Sequence, residues 1–535
     1  MSRFYSIFFA LAAAAILVAS ENTPIRFSDR TKEAGLQQPL SGMLGHGGAW
    51  GDFDGDGKID LFVGGFCDRP NAEYAPAPGP VPNRLFRNLG DGRFEWAQRT
   101  AVETRARASG AVFADLDNNG TLELYVANNA QRQSRRADEP QRSAQLKHSQ
   151  LFNNEDGKFR DFSAASGACP DGLFTARNVG LLDYNRDGLL DLFLVEDKFS
   201  RGGQGPRSVL MKNRGGLKFQ AANRETGLPD DIFGLGLAVA DLNEDNRPDF
   251  LVGHPNRLFL SQSDGTFREA TELQAIFRQT PLDGEDWPCG VAFGDLNRDG
   301  QPDLVISVHY RIARNRVFLN GGLNQGIPQF RDVTREVGLE ESVPVKCPHV
   351  EVQDFDNDGW PDIYLSAAWL EQGQVIPLIY RNAGLRDGLP RFAPPRPVSS
   401  SMVYFPAGPS GDFDNDGRLD LFLVNWFSDN HSRLLRNETP RNNWLQVRVS
   451  GTTFNRMGIG AKIRVLRSAK TRSAGKLLGY QEVAVGYGYA SGQPALCHFG
   501  LGDETEVDLQ IIFPNGAKVE RAGVKANQLL KITEP

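Results

Sequence analysis

Seven copies of the pattern D-x-[DN]-x-[DN]-x-x-x-[DE] recur along the chain: DFDGDGKID from Asp52, DLDNNGTLE from Asp115, DYNRDGLLD from Asp183, DLNEDNRPD from Asp241, DLNRDGQPD from Asp295, DFDNDGWPD from Asp354 and DFDNDGRLD from Asp412. Their starts lie 54 to 68 residues apart. One acidic loop would say little; seven in register restrict the chain to a repeat architecture. Position 12 of each copy is apolar (Val63, Val126, Leu194, Val252, Ile306, Leu365, Leu423). A helix-flanked EF-hand needs a bidentate Glu there, so that reading fails at every copy.

Each loop runs into a short β-branched and aromatic stretch such as LFVGG after Asp60 or LFLVE after Asp191, the pattern of a strand covered on both faces. A second motif follows, as in NRLFRN ending at Asn88 and PLIYRN ending at Asn382, and usually leads through a Gly-rich turn to a Phe. That is a hairpin. With the strand before the loop, each period holds about four antiparallel strands, and seven such periods predict an all-β fold with a seven-bladed β-propeller. The segment RFSDRTKEAGL (Arg26 to Leu36) matches the fourth-strand segment QFRDVTREVGL (Gln329 to Leu339), and nothing like it follows SRLLRN in the last period. The N-terminal strand is therefore expected to complete the seventh blade and leave no open edge.

The organisation expected is a secretory signal over residues 1–20, a propeller over 21–437 and a small β-sandwich-like domain over 442–535. The first twenty residues combine Arg3, an apolar run and small residues before Glu21; the alternative is an N-terminal membrane anchor. No later segment is apolar for long enough to span a bilayer. The protein is expected to be secreted, in the periplasm or outside the cell. With 40% hydrophobic residues and a formal charge of -7, the chain is an ordinary globular one with no basic footprint for nucleic acid. Five widely spaced cysteines form no zinc motif and no disulfide framework, and their odd number leaves at least one thiol unpaired within the chain.

Positions 1, 3, 5 and 9 of each loop offer side-chain oxygens around a tight turn, and position 7 adds its backbone carbonyl. Hard oxygen donors in this number suit calcium. The expected ligands are Asp52, Asp54, Asp56, Lys58 and Asp60; Asp115, Asp117, Asn119, Thr121 and Glu123; Asp183, Asn185, Asp187, Leu189 and Asp191; Asp241, Asn243, Asp245, Arg247 and Asp249; Asp295, Asn297, Asp299, Gln301 and Asp303; Asp354, Asp356, Asp358, Trp360 and Asp362; Asp412, Asp414, Asp416, Arg418 and Asp420. Up to seven calcium sites follow. Position 6 must turn sharply and is Gly in six copies and Asn246 in the other. Loops with an amide at Asn119, Asn185, Asn243 or Asn297 are expected to bind more weakly than the four-carboxylate loops from Asp52, Asp354 and Asp412. Calcium is read as structural.

These repeats resemble the FG-GAP or VCBS calcium repeats of integrin alpha-subunit propellers and of secreted bacterial proteins, over roughly residues 26 to 437. Near the C-terminus, NRMGIGAKIRV (Asn455 to Val465), GYGYASG (Gly486 to Gly492) and CHFGLGDETEVDLQIIFPNG (Cys497 to Gly516) resemble the ASPIC/UnbV domain, with FPNG standing where that domain usually has Trp-Pro-x-Gly. The glycines of this segment read as turn and close-packing positions. The combination resembles the cartilage acidic protein 1 family, which implies a secreted, calcium-associated protein with adhesion or matrix roles in animals.

Propeller topology sends the connections between second and third strands, and between blades, to the face opposite the acidic loops. Irregular stretches map there: Cys67 to Pro82, the basic Gln131 to His148, Glu196 to Arg207, Ala367 to Pro377 and Asn425 to Ser432. His46, Arg177, Trp287, His349, Trp369 and Trp426 are the candidate ligand-binding residues. The expected partner is an extracellular protein or a polysaccharide, bound in adhesion or recognition. No nucleophile elbow, HExxH, P-loop or Rossmann fingerprint occurs. No catalytic residue is assigned; the alternative is an enzyme acting on a polysaccharide or small molecule in the central funnel, where His46, His349 and Arg177 would converge.

Overall fold

A computed structural model describes residues 25–129, 148–170, 173, 175–197, 207–278, 287–393, 401–471 and 473–535. The expected signal segment, nearly all of Gln131 to His148 and most of Glu196 to Arg207 lie outside the described residues.

Seven antiparallel four-stranded arrays follow in chain order, each with its acidic loop between first and second strands. The first strands are Gly45–Gly51, Ala108–Ala114, Ala176–Leu182, Leu237–Ala240, Pro288–Gly294, Val350–Gln353 and Ser410–Gly411. Second strands such as Asp60–Gly65 and Asp191–Glu196 are buried at every residue, as their apolar composition requires. Outer strands bury alternate residues, as at Pro390 and Phe392 of Leu389–Ala393. Aromatic side chains cement neighbouring blades; the rings of Phe193 in blade 3 and Phe250 in blade 4 lie 4.5 Å apart.

The ring closes with strands from both ends of the repeat region. Blade 7 takes Ser410–Gly411, Asp420–Leu423 and Arg433–Asn437, and its outermost strand is Phe27–Asp29, paired Phe27 to Asn437 and Asp29 to Leu435. Ion pairs from Arg433 to Asp29 (2.7 Å) and from Arg30 to Glu438 (2.8 Å) flank the seam.

The C-terminal strands form two sheets. One contains Cys497–Gly502, Asn443–Ser450 and Gln528–Thr533; the other contains Leu477–Glu482, Lys462–Arg467, Glu506–Ile512 and Lys518–Lys525. Their shared interior of Val447, Ile463, Val465, Phe499, Leu509 and Ile511 is continuous with Val112, Val179 and Leu192 of blades 2 and 3. The two parts of the chain thus share one apolar core.

Two expectations about the opposite face are corrected. Ala367 to Pro377 is a hairpin, not an irregular loop: strands Asp362–Glu371 and Gln374–Arg386 stay paired out to Glu371 and Gln374. Trp369 lies within that extension, pairs across to Ile376 and Met402, and is 0% exposed, so it offers no aromatic surface to a ligand.

Candidate metal centres

The backbone of every acidic loop is bent the same way. Position 6 has positive φ in all seven copies, from 60° at Asn246 to 95° at Gly120. Position 4 is left-handed as well, at Gly55, Asn118, Arg186, Glu244, Arg298, Asn357 and Asn415. Arg186, Glu244 and Arg298 carry the strain of that conformation without the ease of Gly or Asn, and composition gave no warning of it.

Two carboxylates hold each turn. One oxygen of the position 1 Asp accepts the position 6 N–H at 2.7 to 3.0 Å in all seven loops. The position 9 carboxylate is completely buried and accepts the position 2 N–H, as from Phe53 to Asp60 at 2.9 Å and from Phe355 to Asp362 at 3.0 Å. Its second oxygen usually takes the N–H of the residue ending the third-strand motif, as from Asn88 to Asp60 at 2.7 Å. That Asn also ties blade to blade: Asn154 Nδ2 donates to Leu122 O of its own blade and to Phe53 O of the preceding one. Asn88, Asn213, Asn382 and Asn437 repeat the arrangement. The motifs ending NRLFRN and SRLLRN were legible as strands; their terminal Asn was not legible as a staple.

The remaining oxygens fit a divalent cation. Oxygens of Asp52, Asp54 and Asp60 lie within 4.8 Å of one another, as do those of Asp115, Asp117 and Glu123, of Asp354, Asp356 and Asp362, and of Asp412, Asp414 and Asp420. Asp52 Oδ1, Asp115 Oδ1, Glu123 Oε1 and Asp414 Oδ1 are buried without a hydrogen bond. An orphaned buried carboxylate oxygen is costly, and a hard cation would satisfy it. Burial and neighbouring like charges push these groups up: Asp60 and Glu123 to about 8, Asp295 and Asp412 to about 7, Asp115 and Asp183 to about 6.

The C-terminal sheets lie on this face. Lys462 Nζ pairs with Asp241, and Glu482 accepts the Asp241 N–H at 3.0 Å. Gln446 Nε2 donates to Asp412 (2.9 Å), Asn442 Nδ2 to Asp356 O (2.8 Å), and the Arg456 N–H to Asn118 (2.9 Å). His498 Nε2 meets Asn357 Oδ1 at 2.7 Å. The acidic loops are therefore seams between propeller and cap.

From the cap, residues 486–493 enter the ring. Ser491–Gly492 pairs in parallel with the first strand of blade 1 (Gly48 to Ser491, Ala49 to Gly492). Asn178 of blade 3 donates to Gly486 O, Leu237 of blade 4 to Gly488 O, and Gly488 to Val291 O of blade 5. In blade 6 the Tyr489 N–H reaches His349 Nδ1 and Gln493 Nε2 reaches Glu351, while Gly408 in the run-in to blade 7 donates to Ser491 Oγ. At Gly492 an added Cβ would stand 2.5 Å from Ala111 O of blade 2. All seven blades thus meet the segment, which plugs the channel. Gly488 has φ +78°, and a Cβ there would stand 2.4 Å from His349 Nδ1, so only glycine fits.

The plug redistributes the candidate ligand-binding residues. His349 is 0% exposed, held between Tyr489 N and Glu351 Oε1 (2.9 Å). His46 is buried against the rings of Phe66, Trp426 and Tyr489. Arg177 pairs with Asp197 at 2.6 Å. No hydrogen bond among the described residues links His46, Arg177 and His349 to one another. Trp287 stacks on His254, 5.6 Å between centroids, and Trp426 lies 5.7 Å from the Arg69 guanidinium. Around the Tyr489 ring stand His46 and His309, at 5.6 and 6.2 Å. Burial holds His46 down to about 3, and Arg177, Arg107 and Lys346 add to the effect. Burial, Lys346 and Arg177 likewise keep His309 well below the usual imidazole range. The five cysteines are free thiols.

This ring of acidic-loop blades with a β cap defines a propeller of FG-GAP-like repeats carrying an ASPIC and UnbV domain: the repeat family matches residues 52–126, 183–252 and 253–306, and the ASPIC and UnbV family matches 451–535. At the level of whole proteins, the chain is similar to cartilage acidic protein 1. The mouse protein is 26% identical over 514 residues, covering 92% of this chain and 74% of the relative; the human protein is 26% identical over 512 residues, covering 92% and 72%. Integrin alpha-5 of Xenopus laevis is 25% identical over 172 residues, which is 29% of this chain and 16% of that one. No helix among the described residues is long and apolar enough to cross a membrane.

Proposed function

We propose that the protein is an exported recognition module, stabilised by calcium in its acidic loops, that binds an extracellular protein or a polysaccharide of acidic character on the face opposite those loops. The observation that carries this reading is the plug. The cap covers the acidic face and fills the channel, so a partner has the opposite mouth to engage. There Arg177 is paired with Asp197 and Arg107 with Asp68, while Lys346 stands 5.5 Å from the Tyr404 ring. Cations beside aromatic surface suit carboxylate or sulfate groups on a stackable ligand. Relatedness to integrin alpha chains supports a binding or adhesion role.

The test is retention of the calcium-loaded protein on acidic and neutral polysaccharides, with released product assayed in parallel. Salt-sensitive retention on acidic polymers, lost in Lys346→Glu, is the expected result. Retention that ignores both salt and Lys346→Glu overturns the acidic-ligand reading, and released product overturns the binding-only reading.

A further inference from the structure

The seven blades act as an internal comparison, and one residue outside the acidic loops varies with them. In each blade it directly precedes the residue ending the third-strand motif: Arg87, Asn153, Lys212, Leu260, Leu319, Arg381 and Arg436. Arginine stands there in blades 1, 6 and 7, the three whose loops carry Asp at both positions 3 and 5. In the other four blades, one of those positions is an amide and no arginine is present.

The geometry gives the association a physical cause. Arg87 pairs with Asp54, and its Nη2 lies 3.7 Å from Asp56. Arg381 bridges Asp356 and Asp358, the latter at 2.5 Å. Arg436 bridges Asp414 at 2.6 Å and Asp416 at 2.8 Å. Lys212, the one other cation at this position, lies 3.8 Å from Glu225 and over the Tyr184 ring. At Asp414 the guanidinium takes Oδ2, while Oδ1 is the buried oxygen without a hydrogen bond. There a planar fork on the outer oxygen leaves the inner one for a metal.

We propose that Arg87, Arg381 and Arg436 set the metal affinity of their loops by cancelling the charge of the additional carboxylate. Four carboxylates and one guanidinium carry the same net charge as three carboxylates, so each arginine offsets the carboxylate that its loop has beyond those of the amide-bearing loops. This replaces the expectation that the four-carboxylate loops bind most tightly. Position 7 cations adjust the balance further at Lys58, paired with Asp56, and at Arg418, paired with Asp416. The inference rests on the reading that the loops bind a divalent cation.

Loop 6 permits a site-resolved test. It opens on a cleft of about 490 Å³ lined by Asp356, Asp358, Trp360 and Arg381, so an ion has access, and Trp360 is the only tryptophan within an acidic loop. Terbium is titrated into the full chain, the signal being the sensitised luminescence that Trp360→Phe removes, and calcium is then titrated alone by calorimetry. Arg381→Met is expected to tighten loop 6 by about three- to tenfold, the size of one unit charge several ångströms away at partly exposed dielectric. Arg381→Met with Asp356→Asn is expected to return to the original affinity. Unchanged or weaker binding in Arg381→Met, with a wild-type melting temperature in saturating calcium, overturns the proposal. Arg87→Met, at a side chain 48% exposed, repeats the comparison by calorimetry if Arg381→Met does not fold. Absence of binding to the unaltered chain overturns the calcium reading itself.

Discussion

The Tyr489 N–H donates to His349 Nδ1 at 3.0 Å, across 140 residues of sequence. Because Nδ1 accepts, the proton of a neutral ring sits on Nε2 and is donated to Glu351 Oε1 at 2.9 Å. Glu351 in turn holds Ser410 of the next blade and Gln493 of the plug. A histidine that reads from sequence as a funnel group is therefore the anchor of the cap.

Gly488→Ala tests that anchoring. The substitution combines a disfavoured φ with a contact to the His349 ring, and the cost expected is about 2 kcal/mol or more. Calorimetry should show one unfolding transition for the unaltered chain and a split or broadened one for the variant as the cap uncouples. An unchanged thermogram would show that the plug contributes little.

Calcium removal should lower stability sharply. A site of ~0.1 mM affinity in ~1 to 2 mM calcium contributes about 1.5 kcal/mol, so several occupied loops together approach the whole stability of a typical domain. The melting temperature in chelator is expected to fall by well over 10 °C. Because the loops are seams with the cap, the cap should also become more sensitive to protease.

The pH dependence of that difference has a definite sign. Without metal, Asp412 is raised to about 7 and Asp60 to about 8, so each contributes stability that is full below the ordinary carboxylate pKa and lost as pH rises through those values. Calcium binding would displace the protons and is expected to reverse the trend. The gap in melting temperature between calcium and chelator should widen from pH 6 to pH 8, and calorimetry in buffers of different ionisation enthalpy should detect proton release on binding.

The blade 7 seam predicts an acid effect of opposite sign. Partial burial raises Glu438, yet hydrogen bonds from Arg30 and Ser28 and the charge of Arg436 outweigh it and hold the group at about 2. Its contribution is present above the ordinary pKa of 4.5 and lost as pH falls toward 2. Glu438→Gln should cost about 1 kcal/mol at neutral pH, as a partly exposed ion-pair network does, and should flatten stability between pH 4.5 and 2 in urea titrations.

The blades and their closure could be read from sequence because they are periodic: positions 1, 3, 5, 6 and 9 recur, and RFSDRTKEAGL matches its fourth-strand counterpart. The plug occurs once and pairs with strands hundreds of residues away, so it leaves no period. Its signal is indirect. Gly47, Gly110, Gly236 and Gly290 stand five residues before their acidic loops, and a Cβ on Gly236 would meet both Cys289 O and Gly488 O at 2.3 Å. Such glycines mark where backbones converge, but not on what. Trp369 misled for another reason: a strand extended past the usual blade length buries residues that a loop would expose.

Closure by Phe27–Asp29 also has a consequence in time. This strand is the first of the described strands to leave the ribosome and the last of its blade to be satisfied, since Ser28 waits 410 residues for Glu438. Until then the growing chain is an open arc with one raw edge at each end, and the segment that fills its centre has not yet been synthesised. A protein assembled in this order gains its final cooperativity only after its synthesis is nearly complete.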